Sequence, residues 1–394
     1  MQKLILYLLS FGHAVTDVNQ GVLPILLPFF QDKFGLSYFL TSAIVTLSNI
    51  SSSIIQPLFG YWSDKRQIRW LLPSGCLLAG LGMAAAGYAT NYYLLLAAVF
   101  ISGVGVASYH PEASKSAHFV SGPMQASSMS IFSVGGNIGI GLGPIFANFI
   151  LNHGGLKSTW MLFVPTAATV ILLIKILPWL DRAITTKSHS KKKHNNDNKT
   201  QNIKSPLAAI SLLILVVAMR SWLQNGLTVY IPMYYMDYLH GDETFASTML
   251  SIFLVSGAIG TLIGGRLADY WGAKKMIIAT MILITPLVLI FPYVQGALIV
   301  PLLALSGFLL VSTFAPAVVL AQSYMPEHVG MASGLSLGFA IGFGGLGLML
   351  LGSIADAHGV PFVLRLIAVI PAITAGLAFF LPNQQQEVAI KANR

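Results

Sequence analysis

Two short stretches of the chain share one pattern at a fixed distance. Residues 60–65 read Gly-Tyr-Trp-Ser-Asp-Lys and residues 265–270 read Gly-Arg-Leu-Ala-Asp-Tyr, so their glycines and their aspartates are each 205 positions apart. Pro111 and Pro316 are separated by the same distance. Because one offset recurs at unrelated landmarks, the sequence indicates an internal repeat of two similarly built halves.

The composition excludes a soluble enzyme. Hydrophobic residues make up 55% of the 394 residues and charged residues only 9%, whereas soluble chains contain about 25% charged residues. The excess apolar surface must therefore face lipid. The net charge of +9 comes from cations between apolar runs, so we expect no nucleic-acid partner. A single cysteine, Cys76, provides neither a disulfide nor zinc spacing, and we expect no cofactor and no metal.

The apolar residues fall into runs that are long enough to cross a bilayer, which takes about 20 residues per helix. Twelve runs can be marked, at roughly 4–30, 38–61, 70–89, 93–117, 125–151, 159–179, 206–236, 245–267, 274–292, 297–322, 331–354 and 360–381. The alternation typical of a membrane barrel is absent from the sequence. We therefore predict an all-α membrane protein with twelve transmembrane helices in two pseudo-symmetric six-helix bundles.

Lysine and arginine predict the orientation of these spans. If the amino terminus is cytoplasmic, 17 of the 22 cations fall in inner loops and tails, two in outer loops and three inside spans. This bias places both termini in the cytoplasm of a cell whose inner or plasma membrane holds the protein. Residues 181–205 are polar and basic, and we interpret them as a cytoplasmic linker between an amino-terminal bundle, 1–180, and a carboxyl-terminal bundle, 206–394.

The first span carries a charge near its middle. His13, Asp17 and Gln20 recur at helical spacing and share one face of the helix. Because this face is polar, we expect it to be turned away from lipid. A charge at bilayer depth costs at least about 2.5 kcal/mol and needs a partner or a wet cavity. One interpretation makes Asp17 a proton-carrying carboxylate in a central cavity, and the other makes it a structural carboxylate fixed by hydrogen bonds or an arginine.

The seventh span carries Arg220. Subtracting the repeat offset relates position 220 to position 15, within one turn of Asp17, so we expect Asp17 and Arg220 on opposite walls of one cavity. A guanidinium there suits an anionic substrate, and the alternative is a gating or structural ion pair. Further candidates for contact with substrate are polar or aromatic residues that could equally serve packing, namely Gln20, Trp222, Asn225, Tyr230 and Tyr234.

The fourth and fifth spans carry two other signals. His110 and Glu112 could relay protons toward the cytoplasm, or Glu112 could pair with Lys115 three positions later in a local charge network. In the fifth span, glycines recur every fourth residue before a proline and predict close helix packing. These residues are Gly135, Gly139, Gly143 and Pro144.

These motifs also carry a family resemblance. Residues 60–69 resemble the loop-two signature of the major facilitator superfamily, and residues 135–144 resemble its fifth-span antiporter signature. Residues 12–28, which include His13, Asp17 and Gln20, and residues 109–114, which read Tyr-His-Pro-Glu-Ala-Ser, are similar to the fosmidomycin-resistance branch of that superfamily.

The resemblance implies a transporter that exports small drugs such as the phosphonate fosmidomycin by proton antiport and alternating access. Asp17 would exchange protons with the substrate, aided by His13, His110 and Glu112. The loop motif implies a charge lock between Asp64, the nearby cations and the other half of the chain, which would help hold the outward-open state and govern the conformational switch. Asp64 could instead simply cap the next helix. The residues of this switch would be Gly60, Asp64, Lys65, Arg66 and, by the repeat, Asp269.

Two other functions stay open at this point. The chain could transport a physiological organic anion, sugar or lipid, with drug export incidental, because a buried arginine fits that function equally well. It could also be a membrane-embedded enzyme or a receptor, although an internal repeat is a device of transporters and we expect no enzyme. The sequence lacks a Gly-x-x-x-x-Gly-Lys-[Ser/Thr] motif, so ATP does not drive the protein directly. We expect a monomer.

Overall fold

A computed structural model describes residues 2–36, 38–66, 68–194, 206–234, 243–294 and 296–383. Within these ranges the chain forms helices joined by short turns and contains no strand. The first half contains α1 (Gln2–Phe34), α2 (Tyr38–Asn49), α3 (Gln56–Arg66), α4 (Leu71–Ala86), α5 (Tyr92–Val120), α6 (Gln125–Gly154) and α7 (Phe163–His194). The second half contains α8 (Pro206–Met233), α9 (Glu243–Trp271), α10 (Ala273–Ile290), α11 (Ile299–Ser312), α12 (Phe314–Tyr324), α13 (Val329–Ser333), α14 (Ala340–His358), α15 (Val360–Ile367) and α16 (Ile370–Phe379).

The helix bounds agree with the apolar runs of the sequence. The described part of each of the twelve runs lies on one helix or on consecutive helices, so the all-α prediction is confirmed. Seven helical stretches of the described chain are long and apolar enough to cross a membrane, and one of them, Gln125–Arg182, contains two of the predicted runs. Other runs are interrupted by wider π-helical turns at Ile50–Ile54 and Gly334–Phe339, which the apolar pattern does not indicate.

The chain packs as two compact units. Unit 1 comprises Met1–Pro123, Ile131–Thr200 and Glu327–Phe339, and unit 2 comprises Met124–Ser130, Gln201–Pro326 and Ala340–Arg394. Two short segments, 124–130 and 327–339, thus belong to the unit that is built mainly from the other half of the sequence. Helix α7 continues to His194 and covers the first part of the predicted linker, whose remainder, 195–205, lies outside the described residues.

The internal repeat is visible in the helix packing. In unit 1, α4 packs against α7, and α5 packs against α2 and α3. In unit 2, α10 packs against α16, and α11 packs against α9. With the offset of 205 residues, α4 corresponds to α10 and α7 to α16, while α5 corresponds to α11, and α2 and α3 correspond to α9. The same packing scheme therefore occurs twice along the chain.

Local signals explain where several helices begin and end. Asn91 caps α5, since its side-chain oxygen accepts from the backbone N–H of Leu94 at 2.9 Å. Helices α1 and α9 are each followed by a glycine with positive φ, Gly35 at 59° and Gly272 at 91°, a conformation that other residues adopt at a cost. The apolar core of unit 1 fills the space between α1 and its neighbours, with Leu26 and Phe30 fully buried.

The fifth-span glycines lie against α1 in unit 1. A Cβ atom at Gly135 would overlap the carbonyl oxygen of Ser10, one at Gly139 the carbonyl oxygen of Ala14, and one at Gly143 the backbone of Gly21. The absence of side chains therefore lets the backbones of α1 and α6 approach closely over two turns.

We expect Gly139→Leu to destabilise the protein by about 1–3 kcal/mol, because the new side chain has no space against Ala14. Gly141→Leu is the matched control, since Gly141 lies on the same helix with no atom within 4 Å of an added Cβ. Thermal unfolding of the purified variants in detergent should show a lower midpoint for Gly139→Leu alone. Equal midpoints for both variants would contradict this account of the α1–α6 contact.

Candidate functional site

A buried carboxylate lies between two imidazoles in unit 1. Asp17 and His13 are one turn apart on α1, and His110 comes from α5. His13 Nε2 is 3.1 Å from Asp17 Oδ2, and His110 Nε2 is 2.8 Å from Asp17 Oδ1. All three residues are at most 9% exposed. The structure thus brings together three of the four residues predicted to couple protons.

The Nδ1 atoms of both histidines, which face away from Asp17, also have polar partners. His13 Nδ1 lies 2.8 Å from the carbonyl oxygen of Phe132 on α6, and the two rings stack at 4.2 Å between centroids. His110 Nδ1 lies 3.2 Å from Nε2 of Gln56, the first residue of α3. The same Gln56 nitrogen donates to the carbonyl oxygen of Ser52 at 2.6 Å. Four helices therefore position the cluster, which we call the Asp17 cluster and define as His13, Asp17 and His110.

Two residues of this site were missed by the sequence analysis. Gln56 sits in an apolar run with no charged neighbour in sequence, so nothing marks it as a partner of His110. Gly136 lies directly against the cluster, because a Cβ there would come within 2.7 Å of His13 Nε2 and of Asp17 Oδ2. Gly136 follows Gly135 in a glycine-rich stretch. Only the packing shows that Gly135 lies against the backbone of α1 while Gly136 lies against the side chains of His13 and Asp17.

The cluster's donor atoms lie within 4.8 Å of one another, which is close enough to surround a metal ion. A histidine that ligates a metal donates its other ring N–H to an acceptor. His13 meets this requirement at Phe132, but His110 Nδ1 faces the amide nitrogen of Gln56, which is itself a donor. The arrangement therefore fits the binding of a proton better than the binding of a metal.

Glu112, the fourth predicted proton residue, belongs to a second buried network. It accepts hydrogen bonds from Ser63 of α3 and, at 3.4 Å, from Ser116, and it lies 3.6 Å from Lys115. Lys115 also lies 3.4 Å from Asp64. The i, i+3 pair expected from the sequence is present. Since the contacts of Glu112 lead to Asp64, its role in a proton relay with His110 stays a prediction.

Asp64 caps the start of a helix in unit 1. Its carboxylate accepts from the backbone N–H groups of Gly330 at 3.0 Å and Met331 at 2.8 Å, in the first turn of α13. A Cβ at Gly60 would overlap the carbonyl group of Gly330, so this close approach requires a glycine. A carboxylate at a helix amino terminus is stabilised by the unpaired N–H groups and by the helix dipole.

Asp269 makes the equivalent contact in unit 2. Its carboxylate accepts from the N–H groups of Ala126 and Ser127 at 2.8 Å each and from the Ser127 hydroxyl at 2.6 Å, at the start of α6. Gly265 lies against Ala126, and a Cβ there would be 2.6 Å from its carbonyl oxygen. The repeated motif therefore produces the same cap twice. The helix that Asp64 caps is α13, in the second half of the sequence, whereas the alternative considered for Asp64 was a cap on the next helix along the chain. A role of either aspartate in a conformational switch stays a prediction.

The other cations of the loop motif lie elsewhere. Lys65 and Arg66 are exposed, and the Lys65 ammonium sits 4.4 Å from the centre of the Tyr61 ring. Lys115, which the sequence analysis considered only as a partner of Glu112, is the cation paired with Asp64. The charge contact at Asp64 thus comes from a buried lysine of α5.

Arg220 is buried in unit 2 with incomplete pairing. Its Nη2 donates to the side-chain oxygen of Gln224 at 2.7 Å, and its guanidinium carbon lies 5.5 Å from the centre of the Phe314 ring. Its Nε and Nη1 have no hydrogen-bond partner among the residues that the structure describes. Buried guanidinium groups are normally paired, so these atoms are suited to an oxyanion.

Two of the other predicted substrate residues, both on α8, lie on a different face from Arg220. At about 100° per residue, Trp222 and Asn225 point to the other side of the helix. The Trp222 indole donates to the carbonyl oxygen of Phe343 at 3.4 Å. Tyr230 is buried, and the Tyr234 hydroxyl donates to the carbonyl oxygen of Pro292 at 3.1 Å. The contact of these four residues with a substrate stays a prediction.

Two predictions about the site go beyond these contacts. Asp17 belongs to unit 1 and Arg220 to unit 2, and their placement on opposite walls of one cavity stays a prediction. Gln20 of α1 is partly exposed, as expected for a residue at the edge of a polar face. Its contact with a substrate likewise stays a prediction.

The architecture defines a class of protein. A duplicated bundle of apolar helices with buried ionisable side chains is the design of a multi-pass secondary transporter. The family model for the Major Facilitator Superfamily matches residues 9–335 and 210–394. The chain belongs to the major facilitator superfamily, as its motifs predicted. It is therefore classed as a transporter and not as an enzyme.

Relatives and solved structures agree with this assignment. The chain is 31% identical to the fosmidomycin resistance protein of Escherichia coli (strain K12), over 97% of this chain and 94% of that protein. It is 32% identical to the uncharacterized MFS-type transporter YfnC of Bacillus subtilis (strain 168), over 97% and 93%. Its fold is similar to that of the proton:xylose symporter XylE, with a TM-score of 0.74 at 15% identity over 98% of both chains.

The two aspartate caps can be tested against each other. We expect Asp64→Ala to increase amide hydrogen exchange in the first turn of α13 and Asp269→Ala to increase it at the start of α6, because each loses charged acceptors worth about 1.5–3 kcal/mol. Mass spectrometry of the protein in nanodiscs measures both segments at once. Each variant is the control for the other, and unchanged exchange at both segments would show that the caps do not stabilise these turns.

Proposed function

We propose that this protein is a proton-coupled secondary transporter that exports small drugs such as fosmidomycin by alternating access. In this proposal it lies in the cell membrane as a monomer, with both termini in the cytoplasm and with one bundle in residues 1–180 and another in 206–394. Membership of the superfamily and 31% identity to a fosmidomycin resistance protein support the class of function and the choice of substrate.

The Asp17 cluster is the observation that carries the proposal. A carboxylate held by two imidazoles keeps a hydrogen-bond donor whether or not the cluster carries an exchangeable proton. Because the cluster lies within the apolar part of the bundle, a proton entering or leaving it changes the electrostatics of several packed helices. This is the property that an exchange of protons for substrate requires.

The aspartate caps supply candidates for the conformational switch. Asp64 and Asp269 each hold the first turn of a helix, and Gly60 and Gly265 permit the close approach. Breaking a cap leaves backbone N–H groups unpaired, so the capped arrangement is one stable state of the transporter. Lys115 connects Asp64 to Glu112, which gives a second ionisable residue influence on that cap. Lys65 and Arg66 are exposed and would act on the switch from the surface.

A second candidate function is transport of a physiological organic anion, sugar or lipid. The partly unpaired guanidinium of Arg220 favours an anionic ligand of any origin, whether a phosphonate drug or a carboxylate metabolite. The two candidates share the same mechanism and differ only in the ligand that the protein encounters. Thermal-shift screening of anionic metabolites beside fosmidomycin separates them, since stabilisation by metabolites alone would favour the second function.

We expect Asp17→Asn to lose proton-driven fosmidomycin flux to the level of empty liposomes, because an amide cannot take up the proton. Exchange of labelled for unlabelled fosmidomycin without a pH gradient should persist, since exchange requires no net proton movement. Asp32→Asn is the control, as Asp32 lies on the same helix and is exposed. Full proton-driven flux in the Asp17 variant would remove this residue from the coupling mechanism.

We expect Arg220→Gln to weaken fosmidomycin binding by about ten- to a hundredfold, the range of one or two charge-assisted hydrogen bonds. Arg220→Lys should retain part of the affinity, since it keeps the charge and loses the planar fork. Arg365→Gln is the control, because Arg365 lies exposed on α15. Tryptophan fluorescence titration measures the affinities. Unaltered affinity in Arg220→Gln would place the substrate elsewhere and leave the proton chemistry untouched.

A further inference from the structure

We infer that Gln56 fixes His110 as the neutral tautomer with its hydrogen on Nε2, so that the exchangeable proton of the cluster lies between His13 Nε2 and Asp17 Oδ2. The inference rests on the proposed function for its meaning in transport and deepens it, because the two histidines then have different roles. Gln56 is a positioning residue in this account, while His13 and Asp17 hold the proton.

The partner of His13 determines where its hydrogen lies. The carbonyl oxygen of Phe132, 2.8 Å from Nδ1, can only accept, so Nδ1 carries a hydrogen. A neutral imidazole has one N–H, which would leave Nε2 as a bare acceptor 3.1 Å from a carboxylate oxygen of Asp17. Two buried acceptors in contact repel each other. One additional proton between His13 Nε2 and Asp17 Oδ2 converts this contact into a hydrogen bond.

The partner of His110 leads to the opposite arrangement. The amide nitrogen of Gln56 donates to the carbonyl oxygen of Ser52 at 2.6 Å, which sets the orientation of the amide. Its other hydrogen faces His110 Nδ1 at 3.2 Å, so Nδ1 accepts. The hydrogen of neutral His110 therefore lies on Nε2 and is donated to Asp17 Oδ1 at 2.8 Å. This contact is complete without an additional proton.

A second proton on His110 is disfavoured by the same geometry. It would place an N–H at Nδ1 against the N–H of the Gln56 amide. Turning the amide over would relieve that contact but would point its oxygen at the Ser52 carbonyl oxygen. Gln56 is 2% exposed, so no solvent can compensate. The cluster therefore binds one proton at the His13 side, passing from no net charge when loaded to a net charge of −1 when empty.

Among the residues that the structure describes, few other ionisable groups face the cluster. From α5, the Tyr109 hydroxyl donates to the carbonyl oxygen of Leu9 at 2.9 Å. From α4, the Cys76 thiol lies beside Thr16. From α6, the described contacts are the carbonyl oxygen of Phe132 and the backbone of Gly136. Since phenols and thiols ordinarily ionise above pH 8, these groups stay neutral while the His13–Asp17 pair exchanges its proton.

Nuclear magnetic resonance of the full chain, labelled with ¹⁵N-histidine and held in phosphatidylcholine nanodiscs, tests the inference without transport. His13→Gln and His110→Gln assign the two sets of signals by difference. We expect wild-type His110 to show a protonated Nε2 and a bare Nδ1 near neutral pH. His13 should show a protonated Nδ1, and its Nε2 should share a proton with Asp17 in the loaded cluster and be bare in the empty cluster.

Substitutions of Gln56 supply the readout that a merely structural residue would not change. Gln56→Glu places an acceptor at His110 Nδ1, so the doubly protonated fraction of His110 should rise at least tenfold at neutral pH. Gln56→Met removes the donor at similar size and should yield a mixture of both His110 tautomers. Gln31→Met is the control, because it removes an amide from α1 far from the cluster and should leave both histidines unchanged.

The outcomes separate this inference from the transport function. A wild-type His110 that is protonated at Nδ1 would overturn the inference. So would a His110 signal that is the same in Gln56→Glu as in the wild type. Should a variant not fold, the wild-type spectrum is sufficient to decide the inference. If the protein shows the inferred tautomers but no proton-driven flux in liposomes, only the transport proposal is refuted. Proton-driven flux with the reverse tautomers would refute the role of Gln56 only.

Discussion

The burial of one carboxylate constrains the arrangement of four helices. Asp17 lies among apolar side chains, where an unpaired charge would cost far more than the net stability of a domain can absorb. Helix α1 alone supplies only His13, so α5 must approach closely enough to bring in His110. Helix α6 can lie against both groups only because Gly136 has no side chain, and α3 contributes the amide that orients the second imidazole. The helix packing of unit 1 therefore supplies the polar partners that the buried carboxylate of Asp17 requires.

The capped helices show a second use of buried charge. Asp64 and Asp269 do not pair mainly with the exposed cations of their own loops; each binds the backbone of a helix that begins in the same unit. This interaction needs a short side chain, unpaired N–H groups and a nearby glycine, and all three recur with the internal repeat. A helix held by its first turn can be released by breaking two hydrogen bonds, which makes it suitable for a protein that changes shape.

The sequence predicted what depends on spacing along one helix. The length of the apolar runs located the helices, the four-residue spacing of His13 and Asp17 placed them on one helix face, and the motif offset revealed the repeat. It could not predict contacts that depend on neighbouring helices. Gln56 reaches His110 from another segment, and Gly136 differs from Gly135 only in what lies opposite. For Trp222, the sequence could not show that the indole donates to the carbonyl oxygen of Phe343 on α14.

The two halves of the internal repeat carry different buried ionisable groups. Moving His13 and His110 forward by the repeat offset of 205 leads to Ala218 and Ala315, so the second copy retains the cap but has no counterpart of the buried imidazoles. It instead holds Arg220, whose Nε and Nη1 have no hydrogen-bond partner within the described part of the chain. On the proposed mechanism, evolution can therefore alter the choice of cargo through the second copy while the first keeps the energy-coupling chemistry intact. Related exporters with new resistance profiles would be expected to diverge there.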